Sequence, residues 1–205
     1  MKLDDLLLQV SSHQGVFLCE GIRRPEQRKE VQFSHRTSTI LSETTLPDIG
    51  RLRDFYATFG SITFFVDELS GDEGKHLASP ENWAELDAEF RGWIDHFSEE
   101  EKEDYLPDWV DTCLVIGEEP RTGNYLLMPT EGESEGRVFV FDHDGYEFVD
   151  EAEDIIAYVE YMLKPDNALL VSLASHMRFI EEGSQHQWWI LELRDNRGNF
   201  ATTAA

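Results

Sequence analysis

Cysteine is almost missing from this chain: Cys19 and Cys113 are the only two among 205 residues. They lie far apart and neither belongs to a CxxC pair, which excludes a disulfide scaffold and a site of that type. Cys113 opens an apolar run, so a buried free thiol is expected there. Long apolar runs are also missing. No stretch approaches the roughly 18 apolar residues that a membrane span needs. The start, MKLDDLLLQV, has one Lys and two Asp before a very short apolar run, which is not a signal peptide. A soluble, cytoplasmic protein with no membrane partner is expected.

Catalytic and ligand-binding signatures are absent as well. Seven histidines are scattered and none forms HxxxH or HExxH, so zinc lacks its usual helical spacing. There is no GxSxG, no GxGxxG and no GxxxxGK[ST], which leaves acyl transfer and phosphate cradling unsupported. There are no internal repeats. Asp142-His143-Asp144-Gly145 offers two carboxylates and an imidazole, but the positions after it lack the later oxygens and closing Glu of a calcium loop. A tight turn accounts for it. No catalytic residue, metal or cofactor is expected.

Positive charge is scarce. Seventeen Lys and Arg face 42 Asp and Glu, a net charge of −25. Residues 1–50 are nearly neutral, and residues 51–205 carry a net of −24. Such a field repels nucleic acid and attracts basic proteins or cations. Arg23, Arg24, Arg28 and Lys29 form the one small basic cluster. Between Asp67 and Glu119 stand 18 acids and 3 basic residues. Those acids lack nearby basic partners, so they must face water or a partner.

What is present is a globular composition, 40% hydrophobic and 12% aromatic, enough for one domain, alone or with an appendage. The clearest stretch runs from Cys113 to Leu163. Cys113–Ile116, Asn124–Met128, Arg137–Phe141 and Tyr146–Val149 read as strands separated by turn residues. Asp144-Gly145 tolerates the positive φ of a hairpin turn. Asp150, with Glu153 three residues on, reads as the cap of a helix whose apolar face is Ala152, Ile155, Ile156, Val159 and Leu163.

Upstream, Asp48–Phe59 reads as a helix closed by Gly60 in a left-handed cap, and Ile62–Val66 as a strand. Ser79-Pro80 starts a helix along Trp83, Leu86, Phe90, Trp93 or Ile94, and Phe97. Ser98 with Glu101 restarts it as a shorter turn, and Pro107 ends it. Val16–Cys19 and Val31–Phe33 are candidate strands in the less patterned first 45 residues. Beyond Lys164-Pro165, Asn167–Glu182 reads as a helix on Leu169, Leu173, Met177 and Ile180. Gln187–Arg194 reads as an edge or packing strand with one of Trp188 and Trp189 on each face. The tail from Asp195 is expected to fray. The fold class is α+β, a mostly antiparallel sheet with helices on one side.

Several of these residues carry a resemblance. Leu46-Pro47 precedes a helix with Leu52, Phe55, Tyr56, Phe59 and Gly60. Val115-Ile116-Gly117, Gly123-Asn124, Gly136–Phe141 running into Asp142-His143-Asp144-Gly145, and Ala152–Leu163 then follow in order. In that order and spacing, over roughly residues 40–164, the chain resembles the SUKH superfamily (SMI1/KNR4-like domain). With the resemblance as its core, the chain is expected in three parts: an N-terminal segment over 1–45, a core over 46–164 interrupted by an acidic helical insertion over 67–109 that departs from the family pattern, and a helix-and-strand extension over 165–205. The resemblance also implies a function, because bacterial members are mostly immunity proteins that neutralise polymorphic or contact-dependent toxins, often basic nucleases.

Charge and resemblance converge on a non-enzymatic protein, a monomer or weak dimer, whose partner is a basic toxin domain. The candidate partner-binding residues are Glu99, Glu100, Glu101, Glu103, Asp104, Asp108, Trp109 and Asp111. The rival readings are a regulatory scaffold of the fungal type and a small-molecule- or metal-dependent enzyme on the same fold.

Overall fold

The computed structural model describes residues 2–40, 44–180 and 186–204. Among them the chain is α+β. The helices are α1 (Leu3–Ser12), α2 (Leu52–Tyr56), α3 (Trp83–Ile94), α4 (Glu99–Tyr105), α5 (Ile155–Met162) and α6 (Asn167–His176). The strands are β1 (Gln14–Gly21), β2 (Arg24–Ser38), β3 (Ser61–Asp67), β4 (Lys75–Leu77), β5 (Leu114–Glu119), β6 (Asn124–Met128), β7 (Val138–Asp142), β8 (Glu147–Ala152), β9 (Phe179–Ile180), β10 (Gln187–Asp195) and β11 (Phe200–Thr202). Every strand pair of described register is antiparallel. No described helix is long and apolar enough to cross a membrane.

The chain divides into two compact units. The first comprises residues 1–37, 63–74 and 160–205. Its strands run in the order β11-β10-β1-β2-β3, and β9 pairs with β10. α6 packs on β10 and β11. Phe17, Phe33, Phe65 and Phe179 fill the core, with Phe17 and Phe33 ring centroids 4.7 Å apart. Each such buried ring contributes roughly 1.5–3 kcal/mol. β10 is an interior strand, flanked by β1 and β11, and not an edge. The tail does not fray, because β11 pairs Ala201 with Leu193 and buries Ala201. The expected helix over 167–182 stops at His176, where Arg178 donates hydrogen bonds to the carbonyls of Ala174, Ser175 and Met177. Residues 181–182 of that expectation lie outside the described residues.

The second unit comprises residues 38–62 and 75–159. Its strands run β4-β5-β6-β7-β8. α3 lies on β5 and buries Trp83, Leu86, Phe90 and Ile94, four residues of the predicted helical stripe. Phe90 meets Phe141 at 5.3 Å, edge to face. β5 does not end at Gly117 but runs on to Glu119, because Gly117 pairs with Leu77 of β4.

Three local expectations change. The helix expected from Asp48 begins only at Leu52, because Gly50 (φ 49°) and Arg51 (φ 62°) are both left-handed. Gly50 also lies against Gly136, where a Cβ would come within 2.4 Å of the Gly136 carbonyl oxygen. The cap of α5 is Asp154, which accepts the N–H groups of Ile156 and Ala157 at 2.8 Å. Asp150 instead sits in β8 and pairs with Arg137 at 2.8 Å. In the β7–β8 turn the left-handed residue is Tyr146 (φ 51°), not Asp144 or Gly145.

Candidate functional site: an acidic face on the second unit

α4 is a seven-residue helix with no buried residue and the sequence EEEKEDY. Isolated helices this short are marginal in water, so its ends must hold it. Ser98 supplies a complete capping box. Its hydroxyl accepts the Glu101 N–H at 3.3 Å, and Glu101 accepts the Ser98 N–H and O–H at 2.9 and 2.8 Å. Those two bonds from Ser98 hold the Glu101 carboxyl below its ordinary pKa. Glu99, Glu100 and Glu101 occupy the first turn, where the helix dipole favours negative charge. The acids thus help make the helix that displays them.

Glu99, Glu100, Glu101, Glu103, Asp104, Asp108 and Asp111 are all exposed. Glu99 pairs with Lys102 at 3.4 Å. Asp111 lies 3.8 Å from Arg91, which also meets Asp87 at 3.1 Å and donates to the Val110 carbonyl at 2.9 Å. Arg91 therefore ties the segment after α4 back to α3. Glu100, Glu103, Asp104 and Asp108 have no basic partner among the described residues.

Trp109 is half-buried, with its ring 4.7 Å from Phe139 and edge-on to Phe148 at 5.7 Å. The exposed aromatic of this face is Tyr105, the last residue of α4, at 65% exposure. It neighbours Phe97, which stacks on His96 and meets Tyr146 edge-on. Sequence reading did not single out Tyr105. The available signal was its place one helical turn beyond the capping Glu101, just before Leu106-Pro107.

A second polar group lies at the β5–β6 turn. Lys75, fully buried, is ion-paired with Glu119. Glu119 also accepts the Asn124 amide at 2.9 Å. Asn124 Oδ1 accepts the backbone N–H and Nδ1–H of His143 at 3.1 and 2.9 Å. His143 Nε2 lies 3.1 Å from Asp144. Removing one member of such a buried pair leaves an uncompensated charge, and its visible effect is to fix the β7–β8 loop. The ligand atoms of Asp142, His143 and Asp144 come within 4.8 Å of one another. Asp142 Oδ1 accepts the Asp144 N–H at 3.0 Å, the role expected of a turn aspartate. Burial keeps the Glu151 carboxyl above its ordinary pKa.

In the first unit, His13, His35 and Asp195 form a directional chain. The Phe65 N–H donates to His35 Nδ1 at 3.0 Å, which places the His35 proton on Nε2. That Nε2–H donates to His13 Nδ1 at 2.5 Å, and His13 Nε2–H donates to Asp195 at 2.9 Å. Asp195 also accepts from Asn199 and Arg197. Burial pulls its carboxyl upward, but the hydrogen bonds from His13 and Asn199 outweigh this and hold it below the ordinary value. Every nitrogen in the chain is used structurally. Cys19 and Cys113 are buried free thiols, each pushed up to about 12 by burial. Neither is a nucleophile at neutral pH.

No protein-family model, curated protein or solved structure matches the chain.

Proposed function

We propose that this chain is a non-enzymatic binding protein that neutralises a basic toxin domain, of the kind a nuclease presents, through the acidic face built on α4. The observation that carries this reading is the set Glu100, Glu103, Asp104 and Asp108, exposed and without basic partners among the described residues. Like charges crowded on one face repel, and the repulsion opposes folding. A basic partner would relieve it. Tyr105 adds the amphipathic aromatic anchor that interface centres favour, with the carboxylates as a charged rim. The resemblance to bacterial SUKH immunity proteins supplies the partner class. On this reading the protein acts in the cytoplasm as a monomer or weak dimer and engages neither nucleic acid nor membrane.

Association should then be electrostatically steered. The test is the rate at which the chain binds the toxin module encoded immediately upstream of its own gene, measured by stopped flow across a salt series. The rate falls steeply as the screening length shortens toward about 8–10 Å near physiological salt. A rate independent of salt, or an upstream gene encoding no toxin module, contradicts the reading.

A further inference from the structure

Where basic residues are scarce, their placement is informative. Four of the 17 lie between Arg23 and Lys29, from the turn after β1 into the first residues of β2. Glu20 pairs with Arg28, and the Lys29 ammonium lies 5.7 Å from the centre of the Trp188 ring. Arg23 and Arg24 are exposed and make no ion pair among the described residues. Two adjacent guanidiniums without a carboxylate among the described residues are unexpected in a chain with 42 acids.

The same two arginines border a cavity of about 290 Å³ in the first unit. Four strands bring its walls together. Gly21 of β1 pairs with both Arg24 of β2 and Trp188 of β10. The Ile22 N–H donates to the Gln187 carbonyl at 3.0 Å and holds the turn against β10. β9 pairs Ile180 with Gln187 and Phe179 with Trp188. Ile22, Ile180 and the Trp188 indole give the cavity an apolar floor, and Gln27 and Gln187 add amide groups. Among the described residues no carboxylate lines it. The Trp188 indole N–H is buried and has no hydrogen-bond partner among the described residues. Native structures rarely leave such a donor unmatched.

We propose that this cavity binds a small organic anion. Arg23 and Arg24 hold its carboxylate or phosphate, and a flat apolar part lies among Ile22, Ile180 and Trp188. Guanidinium forks match both oxyanions in two-point geometry. The volume sits at the small end of ligand pockets, room for about one ring and its anionic group. The net charge of −25 opposes the approach of any anion, so affinity must come from these local contacts.

The test is a titration of the full ¹⁵N-labelled chain with phenyl phosphate, benzoate, inorganic phosphate and benzyl alcohol. The readout is the Trp188 indole N–H resonance, assigned by its loss in Trp188→Phe. Phenyl phosphate or benzoate shifts that resonance saturably, and the tighter of the two identifies the preferred oxyanion. Benzyl alcohol and inorganic phosphate bind at least about tenfold more weakly, since each lacks one half of the recognition. The Arg23→Gln/Arg24→Gln variant, altered only at exposed positions, keeps its thermal midpoint and weakens binding of the better probe by at least about tenfold. No saturable shift with either aromatic anion overturns the proposal. So does unchanged affinity in the double variant, or a neutral or ring-less probe that binds as well.

Discussion

Burial governs the protonation of His13 and His35. The cost of placing charge in the interior lowers both, outweighing the Asp195 hydrogen bond at His13 and taking His35 to about 3. An unfolded chain protonates both near pH 6.5, whereas burial lowers both in the folded chain and keeps His35 neutral down to about pH 3. Their contribution to stability is therefore complete above about pH 6.5. It declines as the pH falls below that value, by up to about 1.4 kcal/mol per pH unit for each histidine. Asp195, with its pKa lowered from 3.8, loses its contribution only below about that pH. Glu151, raised above 4.5, has the opposite sign and stabilises more as the pH falls. Protonating other carboxylates also relieves the net charge, so a variant comparison isolates the histidines. Urea midpoints from pH 7.5 to 5 should fall less steeply in His35→Phe than in the wild type, even though the variant is weaker at pH 7.5. Parallel curves would refute this account. None of it was legible in the sequence, because His13 and Asp195 stand 182 positions apart. Lys75 and Glu119, 44 apart, read only as two charges in an acidic stretch.

The elements were more legible where local chemistry decides them. Ser98 and Glu101 announced α4, and the structure completes that capping box. Turn residues separated β5, β6 and β7, with β6 and β7 within one residue of their expected bounds and β5 extended to Glu119 by its pairing with β4. Elements fixed by partners were harder. α1 has only Leu6 and Val10 buried, a spacing hidden within a short apolar run. β2 begins as early as Arg24 because Glu30, Lys29, Arg28 and, across a bulge at residues 25–27, Arg24 pair with β1 where side-chain alternation is absent. Gly60 looked like a left-handed cap but serves as a close approach: its N–H meets the Ser38 carbonyl at 2.6 Å, and a Cβ would lie 2.2 Å from the Ile40 oxygen. α4 is also where sequence, element and function meet. Ser98→Ala should cost about 1 kcal/mol of helix stability. The loss should be local, seen as reduced amide-exchange protection over residues 102–106 with the strand amides of β5 and β6 unchanged. Unaltered protection there would show that α4 does not depend on its cap.

At the scale of the whole molecule, charge is distributed by sequence. Residues 51–205 carry −24 of the net −25, and Glu100, Glu103, Asp104 and Asp108, on and just after α4, are among the acids of the 67–119 stretch without basic partners among the described residues. Their excess was readable from composition. So was the shortage of basic partners, but not which acids Arg91 and Lys102 neutralise, because only geometry identifies those neighbours. The most direct measurement is protection of growing cells from the upstream toxin module by the wild-type chain and by a Glu100→Lys/Glu103→Lys/Asp104→Lys variant. These positions are exposed, so the variant should fold with stability within about 0.5 kcal/mol per site. The account predicts that it unfolds at the wild-type midpoint, associates at least about tenfold more slowly and fails to protect. A folded variant that protects as well as the wild type would contradict it, and would leave the acidic face a solubilising surface alone.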